Sequence, residues 1–133
     1  MHEPYSEAWL RLPGGYVAAV CSRMDVLTWW NDPFDPRDAT VVLAGGVALV
    51  WDEESGWRRG RFVSGRQGTR TVLTGVRHLG GGVLPAPDRV AELAAGPGLA
   101  ERPVYRRYTD HGDGLDEELA RWVSALAAAA GSR

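Results

Sequence analysis

Apolar and polar residues in the middle of the chain follow a pattern that is typical of β-strands. Segment 47–63, VALVWDEESGWRRGRFV, contains two strand-like runs separated by an acidic turn that ends in Gly56. Glycine adopts the left-handed conformation without steric cost, which suits the last position of a short hairpin loop. The pattern therefore predicts a β-hairpin in which Trp51 lies opposite either Arg59 or Trp57.

Either register places the same residues together, because side chains alternate between the two faces of a strand. The first face holds the odd-numbered residues Val47, Leu49, Trp51, Trp57, Arg59, Arg61 and Val63. The second holds Ala48, Val50, Arg58, Gly60 and Phe62. We expect the apolar half of the hairpin to lie within a sheet and the arginine half to extend toward solvent.

Strand-like segments flank the hairpin on both sides. ATVVLA at 39–44 is followed by Gly45-Gly46, and TRTVLTGVRHL at 69–79 follows a polar turn at 64–68. Strands joined by short turns pair with their neighbours in the chain. The segments therefore predict an antiparallel meander of four strands.

Helical periodicity appears on either side of this β-rich region. Apolar stripes predict a helix over Tyr16–Met24, and Pro87 suits the first turn of a helix that runs to Ala95. Leu115–Ala130 begins with acidic residues that the helix dipole favours and carries a one-sided apolar stripe of Leu115, Leu119, Trp122 and Leu126. The predicted fold is α+β with two layers, the four-stranded meander having its helices packed on one face.

A chain of 133 residues is expected to form one domain with a sizeable core. Residues 1–15 are interpreted as an N-terminal extension. Residues 16–96 are interpreted as an α-β-β-β-β-α core domain. Residues 97–133 are interpreted as an arm and an amphipathic helix that pack on the same core.

The charge balance and the single cysteine narrow the class of protein. The net charge of −2 argues against nucleic-acid binding through charge, and all 15 basic residues are arginine. Cys21 has no partner for an internal disulfide, as expected for a protein of a reducing compartment. No apolar run approaches the roughly 20 residues of a membrane span, and the N-terminus lacks the features of a signal peptide. These observations predict a cytoplasmic protein without a membrane segment.

Three motifs in order resemble an uncharacterised family of small actinobacterial proteins. YVAAV, ALVWDEESGW and GGGVLPAPDRVAEL fall within residues 16–96. The family carries a Leu-Trp-Asp-Glu-x-x-Gly-Trp hairpin and a Leu-Pro-x-Pro segment that leads into a helix. The resemblance implies a compartment and an architecture but no activity. Here the return strand after Trp57 is richer in arginine than the family pattern, and the tail from Leu99 lies outside the resemblance.

No catalytic, cofactor or metal site is predicted. Adjacent carboxylates in a turn normally point into water, so we interpret Asp52, Glu53 and Glu54 as a solvated turn. The histidines, His2, His78 and His111, are too far apart for a recognisable metal motif. Gly80-Gly81-Gly82 matches no phosphate-binding loop and is interpreted as the exit from the sheet.

Cys21 lies among apolar residues, where a thiol is usually inert. Six tryptophans are many for this length. We place Trp51 and Trp122 in the core and leave open whether the others, Trp9, Trp29, Trp30 and Trp57, are core or surface.

Arginine beside tryptophan is the remaining candidate site. Arginine forms two-pronged contacts with carboxylates and phosphates, and tryptophan favours partner recognition. We therefore predict a ligand-binding or partner-binding surface formed by Trp57, Arg58, Arg59 and Arg61. The corresponding function is a non-catalytic binding or regulatory module that recognises a protein partner or a small acidic ligand.

Two alternatives stay open. A small enzyme of a specialised metabolic pathway would have a pocket between sheet and helices, with residues such as Asp52, His78 or His111. A homodimer would assemble through strand edges or through the 115–130 helix.

Overall fold

Five antiparallel strands form a single sheet in the computed structural model of the chain, which describes residues 3–32 and 35–131. The strands follow each other in chain order: β1 (Val26–Asp32), β2 (Asp38–Leu43), β3 (Val47–Asp52), β4 (Gly56–Arg66) and β5 (Thr69–His78). The meander is confirmed, but the predicted count of four strands is wrong. β1 is the additional strand: Trp29 and Trp30 pair with Val41 and Thr40 of β2.

Helices precede and follow the sheet. They are α1 (Glu7–Arg11), α2 (Pro13–Cys21), α3 (Pro87–Ala95) and α4 (Leu115–Gly131). Pro13 begins α2, because a proline at the first helical position loses no backbone hydrogen bond. The side chain of Leu126 lies outside the described part of α4. Within the described residues, no helix is both long and apolar enough to cross a membrane.

The helices pack on the odd-numbered face of the hairpin. Trp51 pairs with Trp57, the second of the two predicted registers. Tyr16 of α2 lies against both indoles; its hydroxyl donates to the Pro85 carbonyl at 2.6 Å and accepts from the Trp57 indole N–H at 3.0 Å. The buried core comprises Trp9, Leu12, Tyr16, Val17, Val20, Ala39, Val41, Leu49, Trp51, Trp57, Leu79, Val90, Leu115 and Leu119.

The other face of the sheet is buried because the β4–β5 hairpin folds back over it. Pairing of β4 with β5 is irregular at several points, which lets the strands bend. The Thr71 hydroxyl on β5 lies 2.6 Å from that of Thr40 on β2, although two strands separate β5 from β2 in the sheet. At the hairpin tip, the Gly68 N–H donates to Asp32 of β1. The sheet is therefore strongly curled, and Val50 lies buried inside the curl.

The tryptophans divide between core and surface. The prediction for Trp51 is confirmed, since it is fully buried, and Trp9 and Trp57 are buried as well. Trp122 is half-buried against the core. Trp29, at the edge of the sheet, exposes 37% of its surface. Trp9 is buried although it belongs to the segment interpreted as an extension, so residues 3–15 contribute to the same core.

Candidate functional site

The residues predicted to form a contact surface do not lie on one surface. Trp57 belongs to the core and is fully buried, so its ring is not available to a partner in this conformation. Arg61 is exposed on β4.

Arg58 and Arg59 point to opposite faces of the sheet. Arg59 lies on the face of the helices, where its guanidinium donates to the carbonyl oxygens of Ala94 and Gly96 at 2.7 and 2.5 Å. It therefore ties the end of α3 to the sheet. Arg58 lies on the other face, where it donates to Asp52 at 2.8 Å. Of the predicted contact residues, Arg58 lines a concave site on this face.

That concave site, here named the arginine pocket, has a volume of about 340 Å³. It lies on the face of the sheet opposite the helices. Its lining residues are Pro36, Asp52, Arg58, Arg70, Val76, His78 and Arg102. The volume is in the range that small-molecule sites occupy.

The strand register explains why the charged side chains meet. Asp38 pairs with Asp52 across β2 and β3, and Arg58 pairs with His78 across β4 and β5. Asp52 pairs with Gly56, two residues before Arg58, so alternation puts all four side chains on one face. They form a row across one end of the sheet.

Two further arginines reach the pocket from remote segments. Arg70 comes from the folded-back hairpin, and its guanidinium lies 3.3 Å from the Asp38 carboxylate. Arg102 comes from the segment after α3 and lies 3.3 Å from Glu54. Three guanidinium groups, two from the β4–β5 hairpin and one from the segment after α3, therefore converge on one small volume.

Burial alters the titration of the two groups that flank these arginines. It raises the pKa of Asp38 to about 7, with Asp32 and Asp52 adding to the effect and Arg70 and Arg58 opposing it. The Asp38 carboxylate therefore carries only part of a negative charge at neutral pH.

His78 shows the opposite shift. Burial lowers the pKa of His78, the charges of Arg58 and Arg102 lower it further, and Asp52 opposes them. Within the described residues, neither Oδ1 of Asp38 nor Nδ1 of His78 has a hydrogen-bond partner. The pocket thus combines fixed positive charge with an imidazole whose neutral form is favoured, and the Asp38 carboxyl group, which titrates near neutrality, lies behind Arg70.

The turn carboxylates are not solvated, so that prediction is wrong for Asp52 and Glu53. Asp52 is 4% exposed and accepts the backbone N–H groups of Glu54 and Ser55, which closes the turn. Glu53 is fully buried between Arg37 and Arg106. Local turn rules missed this because both arginines come from distant parts of the chain.

Glu53, Arg37, Arg106 and Asp116, here named the Glu53 cluster, connect separate parts of the chain. Arg37 also donates to Asp116 of α4 and lies over the Trp9 ring, 3.7 Å from its centre. Since each guanidinium here is bonded within the protein and is less than a tenth exposed, we interpret the cluster as structural.

Two other candidate residues lie apart from the pocket, and His2 lies outside the residues that the structure describes. His111 is exposed and packs near the Trp9 ring, with centroids 6.1 Å apart. Burial raises the pKa of Cys21 to about 11, so the thiol stays protonated at neutral pH. The predicted exit at Gly80–Gly82 is confirmed as irregular backbone between β5 and α3.

The contact residues predicted from the sequence did not include Asp38, Arg70 or Arg102. Strand alternation with the correct register would have placed Asp38 beside Asp52. Nothing local to Arg70 or Arg102 indicates the pocket, because the curl of the sheet and the path of the arm, residues 99–108 after α3, bring them there.

Comparison with known proteins identifies one family. The model of a family of unknown function, DUF6292, matches residues 16–96, about three-fifths of the chain. No curated protein and no solved structure showed significant similarity. The match includes Arg58, Arg70 and His78 but ends before Arg102.

Proposed function

The chain belongs to DUF6292, a family of unknown function, so we propose its role from the arginine pocket: it is a cytoplasmic, non-catalytic binding or regulatory module that takes up a small acidic ligand there. The observation that carries this proposal is the convergence of Arg58, Arg70 and Arg102 on one concave volume. Guanidinium groups donate in pairs to carboxylates and phosphates, which gives such a ligand both orientation and charge neutralisation.

The pocket supports a small ligand better than the predicted hairpin surface supports a protein partner. Trp57 and Arg59 are committed to packing and to the α3 carbonyls. Arg70 and Arg102 have half-exposed side chains at the pocket, where a ligand can reach them. His78 adds a neutral imidazole to the same lining.

Titration calorimetry with sulfate, phosphate and acetate at low ionic strength tests the proposal, since salt would screen the half-exposed arginines. We expect saturable binding by the wild type and a loss of about tenfold, roughly 1.4 kcal/mol, in Arg70→Ala. Arg61→Ala is the matched control, because Arg61 is exposed on the same hairpin but does not line the pocket.

Two results would contradict the proposal. One is the absence of saturable binding with any of the three anions. The other is an equal loss in Arg61→Ala and Arg70→Ala, which would indicate diffuse attraction rather than a site. Thermal unfolding of both variants checks that each is folded.

A small enzyme is the second candidate, favoured by one observation. Asp52 and His78 line the arginine pocket, and Asp38 beside it titrates near neutrality, which suits an acid–base catalyst. The pocket lies on the face away from the helices, not between sheet and helices as predicted. Turnover of p-nitrophenyl phosphate or p-nitrophenyl acetate that is lost in His78→Asn and kept in Arg61→Ala would support an enzyme. No turnover of either ester would count against it.

A further inference from the structure

The segment after α3 is fastened across the arginine pocket at two points. At one end, Leu99 and His78 exchange backbone hydrogen bonds of 2.7 and 2.9 Å. At the other, the Glu54 carbonyl accepts the Tyr105 N–H at 2.8 Å, and the Glu54 carboxylate accepts the Tyr108 N–H at 2.9 Å. This segment, residues 99–108, is the arm. Arg102 lies between the two fastenings, which places it at the pocket.

Arg102 is held by two partly exposed ion pairs. Its guanidinium lies 3.3 Å from Glu54 and 3.9 Å from Asp52, and its side chain is 48% exposed. Half-exposed pairs of this kind contribute at most about 1 kcal/mol. An anion entering the pocket can therefore compete with Glu54 for Arg102.

An entering anion cannot compete in this way with Asp52 for Arg58. Asp52 is almost fully buried, and one of its oxygens is already bonded to two backbone N–H groups of the turn. Its other oxygen accepts from Arg58 at 2.8 Å. Breaking this pair would leave a buried charge without compensation, which is costly.

The charged groups that line the pocket indicate the class of ligand. The pocket lining contains the guanidiniums of Arg58, Arg70 and Arg102, and the one carboxylate in the lining belongs to Asp52. Asp38 and Glu54 lie behind Arg70 and Arg102, outside the lining. The lining itself therefore holds two more cationic than anionic groups, and a monoanion can neutralise only one of them.

Building on the proposed function, we infer that the arginine pocket binds a doubly charged oxyanion, such as a phosphate or sulfate group, and that this ligand takes Arg102 away from Glu54. Arg102 is then the residue that sets the preference for dianions over monoanions. Because Arg102 lies beyond residues 16–96, this preference comes from the arm and not from the part of the chain that matches the family.

Substitution of the two partners predicts effects of opposite sign. Arg102→Ala removes the third guanidinium and is expected to weaken sulfate binding about tenfold while changing acetate binding less than about threefold. Glu54→Gln removes the competing charge but keeps an oxygen that can accept from the Tyr108 N–H. It is expected to tighten sulfate binding by about threefold or more. Arg107→Ala is the control, since Arg107 lies on the arm with a 79% exposed side chain and does not line the pocket.

Calorimetric titration of the full chain with sulfate and with acetate at pH 7 and low salt decides between the outcomes. A weaker sulfate affinity in Arg102→Ala together with a tighter one in Glu54→Gln supports the inference. Equal changes of sulfate affinity in the same direction would show that the pair only stabilises the arm, and they would contradict the inference. An unchanged ratio of sulfate to acetate affinity in Arg102→Ala would also overturn it. If the wild type binds neither anion, the proposed function itself fails, which is a distinct result.

Discussion

The guanidinium of Arg37 contacts both carboxylate oxygens of Glu53 at 3.1 Å, and both side chains are withdrawn from solvent. Arg37 stands just before β2, and Glu53 lies at the apex of the β3–β4 turn. Arg106 of the arm donates to the same carboxylate at 2.9 Å. One buried carboxylate thus connects two turns of the sheet with the C-terminal segment.

Glu53→Ala is expected to destabilise the protein by about 3–5 kcal/mol, because it leaves Arg37 as a buried charge without its main partner. Chemical denaturation followed by circular dichroism measures this change. Glu7→Ala is the control, since Glu7 pairs with Arg11 on the surface of α1 and should cost no more than about 1 kcal/mol. Similar losses in the two variants would show that the Arg37–Glu53 pair contributes no more than a surface pair.

Tyr16→Phe is expected to destabilise the protein by about 1–3 kcal/mol, because the hydroxyl bridges the Pro85 carbonyl and the Trp57 indole within the core. Both groups would then be buried without a partner. Tyr105→Phe, at a half-exposed position on the arm, is the matched control. A loss in Tyr16→Phe no larger than in the control would contradict a role for this bridge.

Gly56→Ala is expected to cost more than Gly68→Ala, although both glycines have positive φ, 71° and 88°. Each substitution carries the left-handed strain of about 1–2 kcal/mol. At Gly56 the added Cβ would also overlap the Gly82 carbonyl oxygen, whereas at Gly68 it meets nothing within 4 Å. Thermal and urea unfolding of the two variants measures the difference. Equal losses would show that the backbone at Gly82 moves freely out of the way.

The ionisation of Asp38 is expected to lower the stability of the folded protein as pH rises. Its folded pKa of about 7 exceeds the ordinary 3.8, so the folded state binds more protons between these values, and stability is lost across that window. Asp38→Asn removes this pH-dependent contribution to the free energy of unfolding. The stability of Asp38→Asn relative to the wild type should rise between pH 4 and pH 8 by up to about 4 kcal/mol, at about 1.4 kcal/mol per pKa unit. Urea denaturation at several pH values measures it.

The groups that face Asp38 are Asp32, Asp52, Arg58 and Arg70, and the difference between variant and wild type cancels the titration of groups that Asp38 does not influence. A flat difference curve from pH 4 to pH 8 would show that Asp38 titrates normally. The same charge should also affect binding. Sulfate keeps its double charge over this range, so its affinity for the wild type should fall as pH rises through about 7, and in Asp38→Asn it should not.

Local rules identified the hairpin and its turn because their cause is local. Gly56 has the predicted left-handed conformation, and alternation correctly placed Trp51 and Trp57 on the same face. β1 was not recognised as a strand, because a proline-rich connection follows it instead of the short turn that normally indicates pairing with the next strand. The turn carboxylates were misjudged for a related reason, since Arg37 and Arg106 approach Glu53 from far along the chain.

The order of apolar and polar residues was enough to determine the antiparallel meander, though not its fifth strand, and the amphipathic helix at the C-terminus, because periodicity decides which side of each element avoids water. Tertiary structure alone decided where the arginines meet. Arg70 reaches the pocket because the sheet curls, and Arg102 reaches it because Glu54 and His78 hold the arm. Such contacts depend on the summed bending of several strands, and no stretch of sequence encodes that sum by itself.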